Sequence, residues 1–195
     1  TFSILPELPY SQYAAEKIKT AGKTVMLHLP MEALGGMNPG PGALYSYHSK
    51  REIEEIIERD LESVPGAVGV NNHQGSKITE DPEKMRIILS YLHKKGLAFI
   101  DSRTTKNSVA APIAREIGIA FAERSVFLDN EPDYEAILSR VLEAVEIAKQ
   151  EGRVIMIGHV TVPKLAEVLD DMYEELRSQG IEFQSIKSVI NEKSE

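Results

Sequence analysis

The sequence predicts an α/β fold of parallel strands, a distorted or incomplete (β/α)7-type barrel. Three observations carry this. Short apolar runs alternate with amphipathic stretches about seven times, the pattern of a parallel sheet joined by helical crossovers. Glycines stand where most amphipathic stretches stop, at Gly22, Gly96, Gly118, Gly152 and Gly180, as helix C-caps do. No linker-like segment interrupts the alternation, so residues 1–195 read as one domain. About seven right-handed units in one domain favour a barrel over a doubly wound sheet.

Taken in order, residues 2–5 form a first strand, and Ser11 offers an N-cap for a helix over 12–21. Residues 24–28 are a second, buried strand ending on His28. The loop from Ala33 to Tyr47 holds Gly-Gly, Asn-Pro-Gly and Pro-Gly, too rich in breakers for regular structure. Ser49 caps a helix over 50–63, whose Ile53, Ile56, Ile57 and Leu61 fall at helical spacing. Residues 67–70 are the third strand, running into Asn71, Asn72, His73, Gln74, Gly75 and Ser76. A helix over 82–95 follows, then strand 97–100 leading to Asp101, Ser102, Arg103 and Thr104. Asn107 or Ser108 opens a helix to 117, and 119–122 is a fifth strand leading to Arg124 and Asp129. A long helix spans 132–151, strand 154–157 runs into Gly158 and His159, and Pro163 opens a helix to Gln179. Residues 181–183 read as a short last strand, and 185–189 as the segment closing the barrel before a polar tail.

Composition narrows the function. Hydrophobic content of 42% and charged content of 27% fit an ordinary globular chain. A net charge of -8 argues against nucleic acid as a partner. Without cysteine, disulfides and thiolate metal sites are excluded, and a metal would need His, Asp, Glu or water. No stretch reaches the ~20 apolar residues of a membrane span, and no signal peptide is visible. Thr1 opens directly on a strand, which implies residues upstream; a processed N-terminus explains it equally well.

The chemistry gathers where strands end. His28 with Glu32, His73 with Asn71 and Asn72, Asp101 with Arg103, Arg124 with Asp129, and His159 all follow strands. In a parallel barrel such exits share one rim, where sites form. Imidazole and carboxylate are normal zinc or manganese ligands, and a metal or acid–base site is the functional reading. Each residue alone has a structural alternative: a lone His satisfied in place, Asp101 as an N-cap with Arg103 as its ion-pair partner, Asp129 in a plain turn. His48 and His93 read as surface residues.

The series His28-Leu29-Pro30-Met31-Glu32, Gly69 to Ser76, Phe99 to Thr104, Phe127-Leu128-Asp129 and Ile157-Gly158-His159 resembles the divergent polysaccharide deacetylase family of bacteria. The resemblance runs through nearly the whole chain in order. It implies a barrel akin to carbohydrate esterases that act on N-acetyl sugars, a divalent metal at its mouth, and export from the cytoplasm by an upstream signal. It further implies His28 and His73 as metal ligands, Glu32 as a carboxylate where related deacetylases carry a second His, and an Asp-Asp pair upstream of Thr1 as base and ligand. His159, oriented by Asp101, would protonate the departing amine, with Arg103 at the oxyanion and Asn71, Asn72 and Arg124 on the sugar. Gln74 stands where the family more often has Met, and Val160 follows His159 in place of the expected Pro-containing turn. The expectation is a metal-dependent, zinc-preferring deacetylase of an N-acetylated glycan. The alternative is a non-catalytic glycan-binding or cell-envelope protein on the same barrel.

Overall fold

A computed structural model of the chain describes residues 1–191. They fall into two compact units, one made of Thr1–Glu123 with the segment from Ser185 onward, the other of Arg124–Gln184.

In the first unit, β1 (Phe2–Ile4), β2 (Val25–Met31), β3 (Gly69–Gln74), β4 (Ala98–Asp101) and β5 (Phe121–Glu123) form a five-stranded parallel sheet in the order β1-β2-β3-β4-β5. Each strand lies beside its predecessor, the order of an incomplete β/α barrel. The connections are α1 (Ser11–Thr20), α2 (Lys50–Ser63), the short α3 (Ser76–Thr79), α4 (Pro82–Lys94) and α5 (Ala110–Ile117). Val25, Leu27, Leu29 and Met31 of β2, Val70 of β3 and Phe99 of β4 pack with Ile53 and Ile57 of α2 and Met85, Ile88, Leu89 and Leu92 of α4 in one core. Helix starts follow local chemistry. Ser49 accepts from the Glu52 backbone N–H while the Glu52 carboxylate accepts from Ser49 N, closing a capping box on α2. Asp81 caps α4 ahead of Pro82. Ser11 lies inside α1 instead of capping it, its hydroxyl donating to Leu5 O at 2.6 Å.

In the second unit, β6 (Val126–Phe127) and β7 (Met156–Ile157) pair in parallel, with α6 (Tyr134–Glu151) and α7 (Pro163–Ser178) built around them. Val126, Leu128, Ile137, Val141, Ala144, Val168 and Leu176 form their core. Asp133 caps α6 through Ala136 N, and Gly152 ends it in the left-handed conformation.

Two expected strands are absent. Residues 181–183 are irregular: Ile181 packs on the second core and the Phe183 ring lies 5.7 Å from that of Tyr173, so packing on α7 occupies side chains that read as a strand. Residues 185–189, expected to close the barrel, enter the helix α8 (Ile186–Asn191). Val126 and Phe127, read as loop, form a strand, and β3 extends through Gln74, four residues beyond the expected end. Of the polar tail, residues 192–195 lie outside the described residues.

Asp60 is a local exception to good packing. It is fully buried on α2, and neither carboxyl oxygen has a hydrogen-bond partner among the described residues. Gly42 of the long loop, at φ +71°, leaves the room it occupies; a Cβ there would overlap the carboxyl. Burial, helped by the charge of Glu7 and opposed by Arg59, pushes its pKa up from 3.8 to about 8. The native state therefore holds a proton that the unfolded chain releases near pH 4, and stability falls as pH rises from about 4 to about 8. Asp60→Asn is expected to flatten that decline. Urea unfolding between pH 4.5 and 9 would show the unaltered protein losing stability with pH, at no more than about 1.4 kcal/mol per unit, and the variant nearly level.

Candidate functional site

The pleat of the first sheet sorts its residues onto two faces. Leu27↔Val70, Leu29↔Asn72 and Met31↔Gln74 pair on the face that carries the helical core. His28↔Asn71 and Pro30↔His73 pair on the opposite face. His28 and His73 are therefore diagonal neighbours, with His28 Nε2 and His73 Nδ1 3.1 Å apart and ring centroids 4.9 Å apart at 66°. Asn71 shares this face, and its buried Oδ1 has no hydrogen-bond partner among the described residues.

The exits of β3 and β4 are held by a buried polar network. Asn71 Nδ2 donates to Ser102 Oγ at 3.2 Å, and Asn72 Oδ1 accepts from Ser102 N at 2.8 Å. The Gln74 carbonyl accepts from Asn72 Nδ2 at 2.8 Å and Thr104 Oγ1 at 2.9 Å. These bonds fix Gln74 at φ +55°, a conformation costly for a residue with a side chain. Gly75 follows at φ +89°, and a Cβ there would meet Met31 Cβ at 2.9 Å, so only glycine fits. Arg103 repeats the pattern at φ +52°, its N–H donating to Asp101 Oδ1 at 2.7 Å.

Asp101 differs in setting from its sequence reading. It pairs with Glu123 in the register that stacks Phe99 on Phe121, on the core-facing side of β4, and it is fully buried. Its Oδ2 accepts from Ser108 Oγ at 2.5 Å. It holds the exit of β4, and Arg103 points to Glu123 at 2.8 Å. Asn72 is likewise fully buried, with both ends of its amide engaged inside the protein.

Glu32 anchors the long loop. Its Oε1 accepts from Lys77 Nζ at 2.6 Å and its Oε2 from Ser46 N at 2.7 Å. Partial burial opposes the charge, but these bonds outweigh it and hold the carboxyl down at about 2. Lys77, on the opening of α3, escaped the sequence reading.

In the second unit, Asp129 carries the chemistry. Its side chain is wholly buried, its Oδ2 accepts from His159 N at 2.5 Å, and its Oδ1 lies 3.2 Å from His159 Nδ1. The carboxylate on this imidazole is thus Asp129, where the sequence reading looked to Asp101. Its signal was present, an Asp directly after an apolar strand run, but a plain turn has the same signal. His159 keeps 53% of its side chain exposed and leans on Phe127 at 5.3 Å. Arg124 lies over the Phe127 ring, 5.3 Å from its centroid. No group of three His, Cys, Asp or Glu residues poised for a metal occurs among the described residues.

A family model of divergent polysaccharide deacetylases matches residues 1–190. The chain belongs to the divergent polysaccharide deacetylase family. Two relatives in this family range are an uncharacterized protein of Haemophilus influenzae, 30% identical over 92% of this chain, and the uncharacterized protein YibQ of Escherichia coli, 34% identical over 97%. The chain spans 65% and 59% of their respective lengths. The crystal structure of the uncharacterized protein ATU2773 from Agrobacterium tumefaciens superposes with a TM-score of 0.90 at 21% identity, covering 96% of this chain and 76% of that one. That likeness shows the fold, the incomplete deacetylase-like barrel with parallel strands. No helix among the described residues is long and apolar enough to cross a membrane.

The Glu32–Lys77 pair gives a direct check on the loop anchor. Lys77→Ala is expected to cost about 0.5–1 kcal/mol at pH 7, modest because Lys77 is partly exposed. The depressed carboxyl makes this contribution full above pH ~4.5 and lost as pH falls toward 2. Urea unfolding at pH 7 and pH 3 would show the difference between variant and parent shrinking at the lower pH.

Proposed function

We propose that the chain is a metal-dependent hydrolase that removes acetyl groups from an N-acetylated glycan. The observation that carries this is the His28–His73 pair on adjacent strands of a deacetylase-family barrel. The donor set fits a divalent cation, zinc first and manganese next. Two nitrogens bound to one tetrahedral zinc at ~2.0–2.1 Å stand ~3.3 Å apart, close to the 3.1 Å between His28 Nε2 and His73 Nδ1. When bound, such a cation polarises an acyl oxygen and acidifies water.

The chain's own residues supply the rest of the reading. Asn71 Oδ1, beside the pair in register, is an acceptor for a water or sugar hydroxyl there. Asp129 engages His159 at Nδ1, which leaves Nε2 as the nitrogen that would exchange a proton with a substrate. Arg103 and Arg124 are assigned to substrate oxygens, each from a position steadied by Glu123 or Phe127. The same reading expects the chain outside the cytoplasm, with envelope glycan as substrate.

A second reading has its own observation. Glu32, the carboxylate expected on the metal, is engaged by Lys77 and Ser46. With that carboxylate tied to the loop, the two imidazoles are also compatible with a glycan-binding protein without turnover.

Acetate release from an N-acetylglucosamine oligomer with added zinc or manganese separates the two. On the catalytic reading, chelation abolishes release, and His159→Ala or Asp129→Asn lowers kcat 10²–10⁴-fold with KM within a few fold. His73→Ala is expected to remove the metal from the purified protein, read by elemental analysis. No acetate above blank, with metal shown to be bound, would leave the binding reading.

A further inference from the structure

The loop between β2 and α2 presents a rigid aromatic surface that the reaction chemistry does not use. Tyr47 is 75% exposed, an ordinary condition for one tyrosine. Its setting is less ordinary. Its ring stacks on Tyr45 at 5.3 Å and 10°, and His48 meets it edge-on at 4.6 Å and 72°. His48 also stands edge-on to Tyr45, at 5.7 Å and 80°.

The backbone beneath is fastened on every side. Tyr45 N donates to His48 Nδ1 at 3.1 Å, and His48 N donates to Tyr45 O at 3.0 Å. Ser46 N donates to Glu32, Lys84 Nζ of α4 donates to His48 O at 2.8 Å, and the Ser49 capping box follows at once. The ordering cost that an exposed side chain normally meets on binding is therefore largely met beforehand. In this setting Tyr47 still keeps most of its surface exposed. Leu34 and Met37 add exposed apolar surface from the same loop.

We propose that Tyr47, backed by Tyr45 and His48, is a stacking subsite for a pyranose ring of a glycan chain, separate from the sugar that meets His28 and His73. The C–H groups on one face of a pyranose carry slight positive charge and match the negative face of an aromatic ring. The subsite rests on the reading of this chain as glycan-acting, and it narrows that reading. The platform is tied to Glu32, just past the end of β2, and Tyr47 itself lies on the loop outside the strands that carry His28 and His73. A second ring held there adds a contact that a single sugar at His28 and His73 does not make, so the subsite favours oligomers over the monosaccharide.

Calorimetric titration of the full chain with N-acetylglucosamine hexamer and with N-acetylglucosamine tests this. Tyr47→Ala is expected to weaken hexamer binding about five- to tenfold and leave the response to the monosaccharide unchanged, while Tyr47→Trp retains hexamer affinity. Hexamer binding equal in parent and Tyr47→Ala overturns the subsite alone and leaves the glycan reading standing. No hexamer binding by the parent overturns both. Concentration-dependent self-association that Tyr47→Ala abolishes, with hexamer affinity unmoved, also overturns the subsite and assigns the surface to a second copy of the chain.

Discussion

The register of β2 on β3 is the constraint on which the first unit depends. Side chains alternate faces along a strand, so sliding one strand by a single residue exchanges its two sets. In the observed register, Leu27, Leu29 and Met31 meet Val70 and the helices, and His28 and His73 are left together on the other face. The same burial that stabilises the unit thus positions its chemistry. A slip that separated the imidazoles would also bring His28 into the apolar core, at a cost of several kcal/mol for a polar group without partners. The core therefore protects the pair without touching it.

The strand ends need a second device, because left-handed residues and buried amides do not hold themselves. Gln74 and Arg103 both adopt positive φ, and in each case a buried polar side chain from the preceding strand secures the turn: Asn72 for Gln74, Asp101 for Arg103. Ser102 joins the two exits by accepting from Asn71 and donating to Asn72. Residues that look like site groups in a list of polar side chains form, in this arrangement, the frame around the His28–His73 pair. Glu32 plays the same part on the other side of β3, where Lys77 and Ser46 make it the anchor of the loop that carries Tyr45, Tyr47 and His48.

Much of this fold was legible in the sequence. The Ser49 cap, the Pro163 start and the glycine stops mark real helix ends, since those signals are local. The gathering of histidine and polar side chains at the strand exits was legible too, because it follows from parallel topology. What stayed hidden depends on contacts between distant residues. Asp101 and His73 both follow apolar strand runs, and only the cross-strand register shows that one faces the core and the other does not. Asp129 and Asp101 carry the same local signal, yet His159 pairs with Asp129. Residues 181–183 have strand-like composition, but Tyr173 and the second core take up their apolar side chains, and no strand partner does.

The 3.1 Å separation of His28 and His73 also bears on what the pair can accept. Two ring nitrogens at that distance accommodate one nucleus between or beside them. That nucleus is either a shared proton in an N–H···N bond or a cation bound at the edge of its coordination shell. On the metal reading proposed above, a cation held there would displace a proton from the pair. A carboxylate inserted as a third ligand would change that balance. Glu32, the nearest in sequence, is already neutralised by Lys77 and tied to the loop through Ser46. Recruiting it to a metal would compete with the bonds by which Lys77 and Ser46 hold it to the loop.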